Sequence, residues 1–298
     1  MMIEVASLRY GVIFKKAFSV PEIFNAFVSD VTGTKIEVEE VEPEKSFSPV
    51  IGSVDIKFDL YGHDLKNRII VTIQHERLGN HYNRLLHDAC DTILQQLVNV
   101  GSYQPKPTVY TIVVLTSGDR HQTEIAIIDM DPKDRNGNSL GEISHKVIYL
   151  APKYADEKTP EPLREWFRAI DDSLDEQVDE ADYEREEIHQ IFELIQKDKV
   201  SPQERAKMIE EHHQDEIKQK SFEEGLVEGR EEGREEGVIQ TQQQILIRQL
   251  QRKFSELPAV VIALIESTND VARLNEWLDT LWSADSLADM GLTSSVSA

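Results

Sequence analysis

Apolar positions along the first 150 residues recur in two periods, one suited to strands and one to helices. Ser19, Pro21 and Glu22 have the make-up of a capping box with proline at an early helical position. Ile23, Phe24, Phe27 and Val31 then fall on one face of a short helix. Lys35 to Glu42 (KIEVEEVE) alternates apolar and polar side chains, which predicts a half-buried strand. Val54, Ile56, Phe58 and Leu60 repeat that alternation, a turn is expected from Gly62 to Asn67, and Arg68 to Gln74 (RIIVTIQ) reads as the next strand. Residues 80–99 carry the clearest helical pattern, with Tyr82, Leu85, Leu86, Ala89, Cys90, Ile93, Leu94, Leu97 and Val98 on i, i+3, i+4, i+7 spacing. Thr108 to Thr116 (TVYTIVVLT) is a nearly continuous apolar run, as expected of a strand covered on both faces. Thr123 to Met130 and Lys146 to Leu150 complete the set. The succession predicts an α/β domain, a mixed β-sheet flanked by helices.

From about Thr159 the pattern turns helical. Leu163, Trp166, Phe167 and Ile170 form one amphipathic face, and Ile188, Ile191, Phe192 and Ile195 form another. Ser201, Pro202 and Glu204 mark a second capped start. In SFEEGLVEGREEGREEG (Ser221 to Gly237) the glycines Gly225, Gly229, Gly233 and Gly237 stand four apart. Each costs a helix roughly 1 kcal/mol relative to alanine. This stretch is therefore a weak helix unless a partner packs on the glycine stripe, or else a solvated acidic linker. Ile245, Ile247, Leu250 and Phe254 pattern a further helix, Pro258 opens another with Val260, Ile262, Leu264 and Ile265, and Leu274, Trp277, Leu278 and Leu281 follow. The organisation expected is residues 1–155 as the α/β domain, 156–240 as an acidic helical linker, 241–290 as a small helical module and 291–298 as a disordered tail.

Composition narrows the classes. The net charge of −23 argues against indiscriminate nucleic-acid binding, which needs clustered Lys and Arg. Residues 156–240 hold 28 of the 55 acids, however, so a nucleic-acid-facing patch on the first domain stays compatible with the total. A single cysteine, Cys90, excludes an intramolecular disulfide and any zinc site with two cysteines. No secretory pattern opens the sequence and no apolar run approaches the ~18 residues that span a bilayer, so a cytoplasmic protein is expected. His212 and His213 are adjacent on a helix and His81 and His87 are six apart, neither of which is the i, i+4 spacing by which two histidines share a metal.

A metal-dependent phosphodiesterase needs acids converging on a divalent cation and a group that orients water. Two neighbouring strands can supply them, with an Asp near the end of one and two residues spaced by two on the next, which share a face. Asp59 on the second strand, with Thr72 and Gln74 on the third, fits that layout across a hairpin turn. The plain reading of an Asp beside a turn is a turn cap or a solvated charge.

These stretches resemble the recombination-promoting nucleases and transposase-like proteins of the PD-(D/E)xK superfamily. The matching segments are Gly11 to Lys15 (GVIFK), Phe58 to Asp64 (FDLYGHD), Val71 to Gln74 (VTIQ) and Arg84 in HYNRLLHDAC. Thr111 to Asp134, the EEGR repeats and the helical C-terminal region resemble the family as well. The resemblance implies a PD-(D/E)xK nuclease-like core in residues 1–155, a Mg²⁺- or Mn²⁺-dependent DNA endonuclease, and a role in recombination or mobile-element biology. It implies that Asp59 binds metal, that Gln74 stands where related nucleases carry a lysine, and that Lys15 and Arg84 contact phosphate or support the site. Read without the resemblance, Lys15 is a surface helix charge beside buried Phe14, and Arg84 pairs with Asp88. Two positions depart from the family: Gly11 replaces its first Asp, and Thr72, a poor Mg²⁺ ligand, replaces the acid paired with Gln74. Asp55, Asp64 or Glu76 is a candidate replacement, with Glu76 favoured as a metal ligand by its parity with Thr72 and Gln74. The alternative from another class is a nuclease-fold protein without catalysis, an oligomeric DNA- or protein-binding or regulatory subunit. An acidic scaffold unrelated to DNA would fit the charge and leave the motifs unexplained. A homo-oligomer through the C-terminal helices is expected.

Overall fold

A six-stranded mixed sheet organises the first part of the chain in a computed structural model that describes residues 1–47, 56–75 and 107–292, together with Tyr82, Leu86, His87, Ala89, Cys90 and Ile93. The first elements are β1 (Met2–Glu4), α1 (Gly11–Phe18), α2 (Pro21–Thr32), β2 (Val41–Pro43), β3 (Ser46–Phe47) and β4 (Ile56–Lys57). There follow β5 (Leu60–His63), β6 (Asn67–Gln74), β7 (Thr108–Leu115), β8 (Ile125–Asp129) and β9 (Lys146–Leu150). Then come α3 (Glu161–Asp172), β10 (Gln177–Asp179), α4 (Glu186–Ile195), α5 (Pro202–Phe254), α6 (Ala259–Glu266) and α7 (Val271–Thr280). The sheet runs β2-β5-β6-β7-β9-β8, with β6, β7 and β9 mutually parallel and the other pairs antiparallel. Parallel β6 and β7 require a crossover between them, and the six positions described between residues 76 and 106 are all helical. The rest of the helix expected over 80–99 lies outside the described residues.

The central strands are covered on both faces, which explains their continuous apolar runs. Ile69, Val71 and Ile73 of β6 and Tyr110, Ile112 and Val114 of β7 join the main core. Ile70 and Val109 belong to a cluster on the opposite side, as period two demands.

Several local expectations change. The capping box at Ser19 does not form: Val20 is the N-cap, without a side-chain bond, and Ser19 Oγ donates back to the Lys15 carbonyl at the end of α1. The preceding helix α1 was expected only through Lys15, read as a surface helix charge beside Phe14. KIEVEEVE buries Ile36 and Val38 as its alternation requires, yet it pairs with α2 and not with a ladder over most of its length. Asn25 Nδ2 donates to the Val38 carbonyl and Asn25 Oδ1 accepts from Val38 N, both at 2.9 Å. The β5–β6 turn is confined to Asp64–Lys66, and Gly62 lies inside β5, where a Cβ would come within 2.8 Å of the Phe24 ring.

The largest difference concerns residues 156–200. Leu163, Trp166, Phe167, Ile170, Ile188, Ile191, Phe192 and Ile195 are buried in the same core as α1, α2 and the sheet. The chain accordingly falls into two compact units, Met1–Asp215 and Glu216–Ala298. Residue 155 is not a boundary of the first unit. At the start of α5 the capping box forms as expected, Ser201 N donating to Glu204 Oε2 at 2.7 Å and Glu204 N to Ser201 Oγ at 3.2 Å.

In the second unit Leu246, Leu250, Val261, Ile265, Leu274, Trp277 and Leu281 form the core. The buried positions Leu246 and Val261 displace the expected Ile245 and Val260, which are exposed. Leu292 is buried as well, so the tail expected from Gly291 is packed at Leu292, and 293–298 lie outside the described residues. Residues 216–238 of α5 are exposed on every face, and nothing lies within 4 Å of a Cβ at any of its four glycines. Among the described residues no helix is long and apolar enough to cross a membrane.

Candidate functional site

Asp59 occupies the bend between β4 and β5, where the ladder is interrupted for two residues, Phe58 and Asp59. Its backbone is fixed from the other side: Glu44 N donates to the Asp59 carbonyl and Phe58 N to the Lys45 carbonyl, both at 2.9 Å. Antiparallel pairing of Leu60 with Val71 then sets Asp59 beside Thr72 on β6. The Thr72 hydroxyl donates to Asp59 Oδ2 at 2.7 Å, and Ile73 N donates to the same oxygen at 2.9 Å. Gln74 Nε2 donates to Thr72 Oγ1 at 3.3 Å. The three residues that spacing singles out thus form a chain from amide to hydroxyl to carboxylate.

The first helix completes one side. Gly11 and Lys15 sit one turn apart on α1, and Lys15 Nζ lies 4.0 Å from Asp59 Oδ1 and 2.7 Å from Glu44 Oε1. Lys15 therefore faces Asp59 across the site while Phe14 beside it is fully buried. Glu76, Arg84 and Asp55 lie outside the described residues. Asp64 does not reach this cluster. It closes the β5–β6 turn, its Oδ1 accepting from Lys66 N and Asn67 N, each at 2.7 Å.

Burial works to raise the Asp64 carboxyl, but the bonds from Asn67, Lys66 and Glu37 outweigh it and hold the group below the ordinary aspartate range. A depressed folded value stabilises the protein above the unfolded pKa, and that contribution disappears as pH falls through the folded one. Asp64→Ala is expected to cost about 1 kcal/mol at neutral pH, since the turn is partly solvated. Urea denaturation of both proteins should show that difference shrinking in acid; a difference independent of pH would contradict the turn-closing role.

One participant had no sequence signal. Glu211, two turns beyond the start of α5, reaches the N-terminus of α1, where Tyr10 provides no side-chain cap. Glu211 Oε2 accepts from Gly11 N at 2.7 Å and Oε1 from Val12 N at 3.2 Å. Burial pushes the Glu211 carboxyl above the ordinary glutamate range and nearby Asp59 adds to the rise, against the opposing pull of the two amides and Lys15. Among the described residues, no three His, Cys, Asp or Glu side chains gather into a metal cluster.

Protein-family models, curated proteins and solved structures give no match to the chain.

Proposed function

We propose that this protein is a divalent-metal-dependent DNA endonuclease of the recombination-promoting type, with Asp59 at its catalytic centre. The observation that carries the reading is the convergence of Asp59, Thr72, Gln74 and Lys15, from three separate segments, in the layout of the nuclease motifs. Mg²⁺ commonly takes one or two protein carboxylates and keeps several waters, so an oxygen-only site around Asp59 suits Mg²⁺ or Mn²⁺ better than zinc. Bound there, the cation would activate water and neutralise charge on the scissile phosphate.

The bonds of the described side chains support the following roles. Asp59 Oδ2 is committed to Thr72 and Ile73, which leaves Oδ1, facing Lys15, as the oxygen that would hold a cation. Thr72 is a positioning residue, its hydroxyl fixing the Asp59 carboxylate. Gln74 orients the attacking water through its amide. Lys15, held within reach of Asp59, contacts a phosphate oxygen, as does Arg84 in this reading, and Glu76 remains a proposed further ligand. DNA is the partner, the cytoplasm the proposed location, and recombination or mobile-element processing the setting.

The test is nicking of supercoiled plasmid by purified protein with Mg²⁺ or Mn²⁺. Metal-dependent nicking supports the reading; silence with either ion at several concentrations favours the second one, a non-catalytic binding or regulatory subunit. The observation on that side is that Thr72 brings no charge and spends its hydroxyl on Asp59.

We also propose a homo-oligomer assembled through the exposed part of α5. Ile217, Phe222, Leu226 and Val227 are exposed there alongside a glycine stripe that would let a second helix approach closely. Light scattering at micromolar concentration should give at least a dimer mass, and a monomer mass would refute it.

A further inference from the structure

We propose that Glu211 is the second carboxylate of this site and holds the divalent cation jointly with Asp59, taking the place vacated at Gly11. The inference rests on the nuclease reading and assigns it a ligand from outside the motifs. A Cβ built at Gly11 would stand 3.6 Å from Asp59 Oδ1 and 3.7 and 3.8 Å from the two Glu211 oxygens. The Asp59 oxygen not engaged by Thr72 and the carboxylate of Glu211 therefore border the same space, and the missing side chain of residue 11 leaves that space open. An acid at position 11 would have projected into it. Here the acid arrives from α5, anchored by Gly11 N and Val12 N.

A simple helix cap does not account for the arrangement. A capping carboxylate gains from the positive end of the helix, yet this one is placed beside a second carboxylate, with Lys15 as the cation near both. Two acids facing one opening, with the Lys15 ammonium at 4.0 Å from one of them, have room for more positive charge. A divalent ion between them would relieve the repulsion, and hydrated Mg²⁺ or Mn²⁺ needs no third carboxylate.

The test is Mn²⁺ titration followed by electron paramagnetic resonance, on the full chain and on Glu211→Gln, Asp59→Asn and Gly11→Asp/Glu211→Gln. Glutamine keeps one oxygen for the α1 amides, and thermal melting checks that the fold is retained. Glu211→Gln is expected to weaken Mn²⁺ binding at least tenfold, by analogy with the roughly 10–100-fold loss on altering groups that support a metal. Gly11→Asp in that background, whose Cβ would meet only ordinary contact distances, should restore much of it. If Glu211→Gln binds Mn²⁺ like the native chain while Asp59→Asn does not, the inference is overturned and the Asp59 site stands. If Asp59→Asn also binds like the native chain, or the native chain binds no Mn²⁺, the nuclease reading falls and takes this inference with it.

Discussion

Asp59→Asn is expected to lower metal-dependent nicking of supercoiled plasmid by at least about 100-fold, beyond the 10–100-fold typical of groups that only support a metal. Asparagine has the size of aspartate, and its carbonyl oxygen can still accept from the Thr72 hydroxyl and Ile73 N. What changes is the charge presented toward Lys15 and the cation. Lys15 keeps its bond to Glu44 at 2.7 Å, so the helix should stay in place and the melting temperature should move little. Thr72→Val gives the graded comparison. It removes one of two bonds to Asp59 Oδ2, and a loss of roughly 10-fold would mark a residue that positions the carboxylate. A preparation in which Asp59→Asn nicks as fast as the native protein would remove Asp59 from the chemistry altogether.

The layout of this site was legible in the sequence because it depends on strand geometry. Period two places Thr72 and Gln74 on one face, and a short turn brings the preceding strand back alongside. Those two facts bring Asp59 and Thr72 onto neighbouring strands, while their register depends on the shorter Asp64–Lys66 turn that the structure shows. The α/β class with a mixed sheet was legible for a related reason, since β6 and β7 carry largely apolar runs that suit a doubly covered sheet.

Glu211 was not legible, and the cause is physical. The half-buried stripe that opens at Ser201, just before α5, and continues along it through Glu204, Met208, Glu211 and Asp215 is spaced three and four apart as a packed helix face should be. Four of those five side chains are polar, so hydrophobic periodicity passes over the face that packs. Its contacts are polar too: Glu204 takes Lys16 at 3.1 Å, and Glu211 takes the α1 amides. The Ser19 capping box failed for a related reason. Two helices follow each other so closely that the serine serves the end of α1 before α2 begins.

The placement of residues 161–200 in the first unit leads to the largest expected loss of stability, at Trp166. Its acidic surroundings in sequence suggested a linker, whereas the ring is completely buried. It packs edge-on to Phe27 at 5.4 Å between centroids, and the Arg185 guanidinium lies 4.9 Å from its centre. Trp166 Nε1 donates to Asp30 Oδ2 at 2.8 Å, and Arg185 pairs with that oxygen at 2.8 Å. One indole thus ties α3 to α2 and to the residue preceding α4. Trp166→Ala should cost about 3–5 kcal/mol by cavity formation, a large part of the roughly 5–15 kcal/mol that typically holds a folded protein together. Trp166→Phe should cost clearly less, because the ring contacts largely survive and Asp30 retains Arg185. Urea denaturation followed by circular dichroism separates the two variants. An alanine variant within about 1 kcal/mol of native would mean that α3 is dispensable to the unit. A loss near the upper figure would mean that any fragment ending at residue 155 lacks part of its own core, so nuclease assays on it would measure misfolding before chemistry.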